Sequence, residues 1–296
     1  MKTEPLSFID AHHHLWDLDH CHYPWLMARG EKRFFGDPSP IQKNYLPDDF
    51  LTESQRYVPS ASVHIQVGVS REHEIRETQW LQSLSPCPQA IVAATDLSAP
   101  DLAETLDAHA SCDRLRGIRQ ILGRHREEDK KHGSDKLLDS PAFIRGLGEL
   151  ADRNLSFDLQ MVPGQMSRVI GALRQVPELK VALCHCGSPW DQDAAGLARW
   201  RTGLQQLARL PNVSCKVSGL GMFNPEWTAQ ALRPLILDVI EAFSPGRVMF
   251  GSNFPVDKLY NSYDALWQAY QLATEEFTAE EKQQMFYQTA AAFYRI

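Results

Sequence analysis

The sequence predicts a single (β/α)8 barrel, on three observations. Eight short β-branched or apolar runs recur along it, helix-like stretches lie between them, and no glycine-rich dinucleotide turn follows the first run. The expected strands are residues 6–11, 62–67, 90–96, 115–121, 156–161, 180–184, 213–217 and 247–251. Helical periodicity falls at 72–84, 101–111, 140–153, 166–174, 196–209, 229–243 and 262–274, and a last helix at 279–294 closes the chain. A doubly wound open sheet shares this alternation, but it calls for a Gly-x-Gly turn where Asp10-Ala11-His12-His13-His14 stands.

At 296 residues and 43% hydrophobic content, one domain over 1–296 can enclose a core of its own. The segment 15–47 is long, aromatic and proline-containing, and as the loop after strand 1 it is expected over the C-terminal face, where barrel sites form. No run of eighteen apolar residues exists, so no membrane helix and no membrane partner is expected. Residues 1–5 lack the apolar centre of a signal peptide, which points to a cytoplasmic location. A net charge of −7, mixed in sign along the chain, argues against a nucleic-acid partner. Six scattered cysteines show no disulfide pattern. Within Cys184-His185-Cys186, strand alternation would send His185 away from both neighbours. A small-molecule substrate is the expected partner, and self-association is left open.

His12 and His14 stand two apart at the end of strand 1. On an extended strand they share a face, with Cα atoms about 6.6 Å apart, and two imidazoles at that spacing can converge on one cation or substrate. His13 faces the other way. The remaining strands also end in polar groups: Gln66, Asp96, Arg119 with Gln120, Gln160, His185, Lys216 with Ser218, and Asn253. In a barrel these ends meet on one face. Trp25 and Trp190 offer flat apolar cover for a ring, or simple rim packing.

Four motifs together resemble a known family. They are Asp10-x-His12-x-His14-x-Trp16, His185-x-Gly187, Lys216-x-Ser218-Gly219 and Gly251-Ser252-Asn253-Phe254-Pro255. The sequence is similar to the amidohydrolase superfamily, in its branch of sugar-lactone (L-fuconolactonase-like) and dicarboxylate-lactone hydrolases. The resemblance runs from Phe8 to Tyr294. It implies a (β/α)8 barrel, hydrolysis of a cyclic ester, and at most one divalent metal. His12, His14 and His185 match metal-ligand positions, Zn2+ being the expected ion if one is bound. Arg119 matches an arginine that grips a carboxylate or polarises a carbonyl, and Lys216 matches the basic strand-7 position. Gln160 stands where binuclear members carry a histidine, and strand 4 offers no bridging lysine, so a second metal is not expected.

The departure is Asn253, which falls where the family has its catalytic aspartate. A carboxamide is neutral and cannot act as a general base, although it can orient a water or hydrogen-bond a substrate oxygen. Three routes remain: a metal that acidifies water, another base (Asp257, His185 or His125), or loss of hydrolysis. Asp257 also reads as a helix cap. The expected reaction is water attack on the ring ester of a small carboxylated or sugar-acid lactone, with Gln66, His125 and Gln160 also placed near the substrate. The alternatives are a metal-dependent decarboxylase of a small unsaturated acid and a sugar-acid-binding protein without turnover.

Overall fold

The computed structural model describes residues 6–125, 128–130 and 134–296. Eight strands lie side by side in chain order, every pair parallel. They are β1 Ile9–His13, β2 Ala61–Ile65, β3 Ala90–Ala94, β4 Leu115–Ile121, β5 Ser156–Gln160, β6 Val181–Leu183, β7 Val213–Val217 and β8 Val248–Phe250. The ring closes just past β8, where Asn253 N–H donates to the His12 carbonyl (2.6 Å) and His14 N–H to the Phe254 carbonyl (2.7 Å). The fold is therefore the (β/α)8 barrel expected from the sequence, and its seam runs through the histidine motif.

The helices pack outside. They are α1 Glu74–Ser83, α2 Leu102–His109, α3 Pro141–Asp152, α4 Met166–Leu173, α5 Ala194–Ala208, α6 Ala229–Phe243 and α7 Tyr263–Ala273. Local chemistry sets their starts. Side chains of Ser140, Asp193, Thr228 and Ser262 each accept a first-turn N–H, satisfying a donor that the helix itself leaves open. The Asp193 cap moves the start of α5 two residues ahead of its expected position. The C-terminal helix runs Ala279–Gln283 and Thr289–Tyr294 around a π-helical turn at Gln284–Gln288. It delivers Ala290, Phe293 and Tyr294 to the barrel interior beside Ile9, Val63, Val92 and Met249. Among the described residues no helix is long and apolar enough to cross a membrane.

Two local features differ from simple strand alternation. In β1, Asp10 pairs with Ser62 but His13 with His64, so one extra residue is inserted between them. The bulge turns His12 inward, while His13 stacks on Phe50 outside (4.3 Å between rings). β6 stops at Leu183 rather than running to Cys184, and His185 (φ 54°) and Cys186 (φ 55°) form a left-handed turn. His185 is thus aimed by that turn and not by strand pleating. Gly219 is required opposite it, because a Cβ there would lie 2.4 Å from His185 Nδ1.

Below the site the barrel holds an ion pair. Lys216 Nζ lies 2.5 Å from Asp158 Oδ1, both side chains fully buried. The Tyr294 hydroxyl donates to the same carboxylate (2.8 and 3.1 Å).

Candidate active site

The C-terminal face carries a cavity of about 220 Å³. Of the side chains singled out from the sequence, its wall contains His14, Trp25, Arg119, Gln160, His185 and Asn253. His12 lies immediately beneath, its ring 5.1 Å from that of His14 and 4.5 Å from that of His185. Lys216 is not on the wall: β7 points it into the barrel, where Asp158 holds it. Gln66 is not on the wall either, since its side-chain amide donates to the Arg119 backbone carbonyl (3.2 Å) and its backbone carbonyl accepts from the Arg119 guanidinium.

The histidines are wired through the closing seam. His14 Nδ1 sits 2.7 Å from the Ile65 carbonyl, so that nitrogen carries the proton and donates. Its Nε2 is then a lone pair, and it lies 3.1 Å from Asn253 Oδ1. Asn253 Nδ2 donates to Asp257 Oδ2 at 2.5 Å, which fixes the amide oxygen toward His14. Two acceptors thus face each other across a gap that suits a shared positive partner. His12 has both ring nitrogens buried without a hydrogen-bond partner. His185 Nδ1 meets Ser218 Oγ at 2.9 Å.

Electrostatics keep these rings neutral. Burial, then the neighbouring Arg119, pushes His14 down to about 3. Burial likewise drives His12 and His185 well below the ordinary histidine value, reinforced for His12 by His185 and Lys216 and for His185 by Arg119 and His14. Neutral imidazole is the form that offers a lone pair to a cation or a proton. Among the described residues no three His, Cys, Asp or Glu side chains stand together as a ready cluster of metal ligands. The donor set the structure presents is different: two imidazoles and a carboxamide oxygen. The orphaned nitrogens of His12 and the facing acceptors of His14 and Asn253 fit a single divalent cation, with His185 adjacent.

Asp257 is 2% exposed and absent from the cavity wall. Burial pushes its carboxyl up to about 7, against the hydrogen bonds from Asn253 and Gly221. It caps no helix, because its acceptor oxygens are taken by the Asn253 amide and by Gly221 N–H (3.1 Å). A base that attacks water directly would need to reach the cavity, and Asp257 stands behind Asn253.

Arg119 enters from β4 and donates to Gln160 Oε1 (3.2 Å), with its Nε buried and without a partner. Residues the sequence reading did not single out complete the mouth. Arg124, Arg33, Phe34 and Phe35 all line it. Residues 33–36 form a tight hairpin tip, Arg33 and Gly36 exchanging two backbone hydrogen bonds. Glu128 grips Arg33 through two hydrogen bonds (3.0 and 2.8 Å) and accepts Phe34 N–H (3.0 Å). Phe34 meets Trp190 at 5.6 Å, Phe35 meets Trp25 at 5.9 Å, and Trp190 Nε1 donates to the Arg124 carbonyl (2.8 Å). His125 packs on the same Trp190 (5.1 Å). Trp190 and His125 therefore support the mouth from behind rather than lining the cavity. The loop after β4, residues 122–136, also includes 126–127 and 131–133, which lie outside the described residues. The missed signal was an apolar pair set between charges, Arg33-Phe34-Phe35, and an arginine directly after Gly123.

A parallel barrel with imidazoles, arginines and an amide gathered at the C-terminal strand ends is the site plan of a barrel hydrolase. The chain belongs to the amidohydrolase family, whose sequence model matches residues 9–296. It is 39% identical to an uncharacterised protein of Sinorhizobium fredii over 98% of this chain and 99% of that one. It is 32% identical to L-fucono-1,5-lactonase of Burkholderia multivorans over 97% and 96% of the respective chains. The crystal structure of a Burkholderia multivorans amidohydrolase with bound zinc superposes with a TM-score of 0.83 at 27% identity, covering 98% of this chain and 99% of that one.

Proposed function

We propose that this protein hydrolyses a small lactone that carries a carboxylate or derives from a sugar acid. The observation that carries the reading is the cavity wall, which combines neutral imidazoles with Arg33, Arg119 and Arg124 and includes no Asp or Glu among the described residues. Arg33 is balanced by Glu128. Among the described residues the Arg124 side chain forms no direct hydrogen bond or close ion pair, Glu128 and Asp129 being the nearby negative charges, and burial lowers it to about 10. A guanidinium with no direct hydrogen-bonded protein partner in a partly dry pocket favours an anionic ligand. The 32% identity to a lactonase supports the reaction class.

In the proposed reaction Arg124 anchors the carboxylate, and Trp25 and Phe34 flank the ring. A divalent cation held by His12, His14 and Asn253 Oδ1, with His185 beside them, would supply Lewis acidity at the ester carbonyl and lower the pKa of water when bound. With no cation in that seat, Asn253 Oδ1 instead accepts a hydrogen bond from the attacking water and orients it. His185, neutral at pH 7 and on the wall, takes the proton as water adds to the carbonyl carbon. The ring C–O bond then breaks, and the departing alkoxide recovers that proton, giving the open hydroxy acid.

The test is proton release from matched lactones that differ only in an exocyclic hydroxymethyl or carboxylate group, using protein of known metal content. Opening of the carboxylated member supports the reading. A folded, zinc-supplied protein that opens neither would refute it.

A further inference from the structure

Asn253 stands where the sequence resemblance implies an aspartate, and a carboxylate lies directly behind it, Asp257 Oδ2 accepting the Asn253 amide N–H. We infer that Asp257 is a positioning residue that holds the Asn253 amide with its oxygen toward His14, so that an amide oxygen and two imidazoles make an uncharged cation seat. The inference rests on reading this cavity as the reaction centre.

Four observations carry it. Asp257 Oδ2 takes the Asn253 amide N–H at 2.5 Å, and in its ionised form Asp257 cannot donate to that amide in return, so the flipped orientation would then set two oxygens against each other. Asp257 is itself fixed, because Gly221 N–H donates to Oδ1 and a Cβ at Gly221 would lie 2.6 Å from that oxygen. The Asn253 backbone is locked in the left-handed region (φ 57°), its N–H on the His12 carbonyl and its carbonyl accepting Asp257 N–H (3.2 Å). The amide oxygen so presented lies 3.1 Å from His14 Nε2, whose proton is committed to the opposite ring nitrogen. A free amide would turn its NH2 toward that lone pair and satisfy it. Asp257 prevents this and leaves two acceptors beside the orphaned ring of His12, whose centre lies 5.1 Å from that of His14. The negative charge is thereby kept out of contact with the cation, unlike a direct aspartate ligand, while the geometry is kept.

The experiment is Zn2+ affinity, by competition with a chromophoric chelator, together with kcat and KM on the matched lactones. It compares wild type, Asp257→Asn, Asn253→Asp and the exchange Asn253→Asp/Asp257→Asn. Loss of a partner that orients a metal ligand costs about 10- to 100-fold in affinity or activity. Asp257→Asn should show that loss in Zn2+ affinity and in kcat with KM little changed. The exchange keeps the same hydrogen bond with donor and acceptor reversed, and it should recover both. Asn253→Asp alone sets two carboxylates in contact and should recover less than the exchange. A merely structural role for Asp257 predicts no recovery in the exchange, and that outcome overturns the inference. So does an Asp257→Asn protein within twofold of wild type in Zn2+ affinity, or a wild type that binds no Zn2+. If Zn2+ binding follows the predicted order while no lactone is opened, the positioning role stands and the proposed reaction alone falls.

Discussion

Replacing Lys216 by methionine separates a structural cation from a substrate contact. Its ammonium is fully buried, 2.5 Å from Asp158 and 4.9 Å above the Tyr294 ring. Methionine fills similar volume and removes the charge, which strands a buried carboxylate whose remaining donors are the Tyr294 hydroxyl and the Cys184 thiol (4.0 Å). Breaking one side of such a pair costs about 3–5 kcal/mol. At roughly 2–3 °C per kcal/mol for a chain of this size, the melting temperature should fall by about 6–15 °C. Replacing both partners, Lys216→Met with Asp158→Leu, should recover most of the loss, because a dry pair is worth little more than apolar side chains of equal volume. Calorimetric or circular-dichroism melts of the two singles and the double give the coupling, and KM of the surviving native protein should stay within about twofold. A Lys216→Met protein that melts normally but raises KM tenfold would place Lys216 on the substrate and refute this account.

Three further outcomes follow from the same geometry. Glu77 on α1 is buried, and burial, against the Tyr23 hydroxyl and the charge of Arg119, pushes it up to about 8. The native state then holds a proton that the unfolded chain releases near pH 4.5, so stability should fall as pH rises from about 4.5 to 8, by about 5 kcal/mol in all; Glu77→Gln should flatten that slope in melts across the window. His13, stacked on Phe50 and held neutral at about 3, has no partner at either ring nitrogen, so His13→Leu should change stability by less than about 1 kcal/mol and leave turnover intact, unlike His12→Leu. Arg124→Gln should raise KM for a carboxylated lactone about 10- to 100-fold and shrink its advantage over the hydroxymethyl analogue, whereas equal loss on both would deny Arg124 a carboxylate-reading role.

The barrel was legible because each strand is a short apolar run ended by a turn, and the helices between them carry an apolar face, four of them with a side-chain cap as well. Most of the strand-end set was legible for the same reason: in a parallel barrel, position along a strand fixes which end of the molecule a residue occupies. His12, His14, Arg119, His185 and Asn253 gather in the structure from the ends of four separate strands. Strand pleating gave the wrong cause for two of them. A bulge turns His12 inward, and a left-handed turn aims His185.

What the sequence by itself determined was the alternation of strand and helix, the parallel order and the face that carries the polar strand ends, since these depend on periodicity and local turn chemistry. The tertiary structure alone decided the partners. It sent Lys216 down to Asp158, set Asp257 behind Asn253, and brought Arg33 to Glu128 across 95 positions of chain to form the mouth. Periodicity specifies which side of an element a residue occupies, whereas the choice of partner depends on side-chain reach, on which loops meet over the barrel, and on which charges can be buried only together.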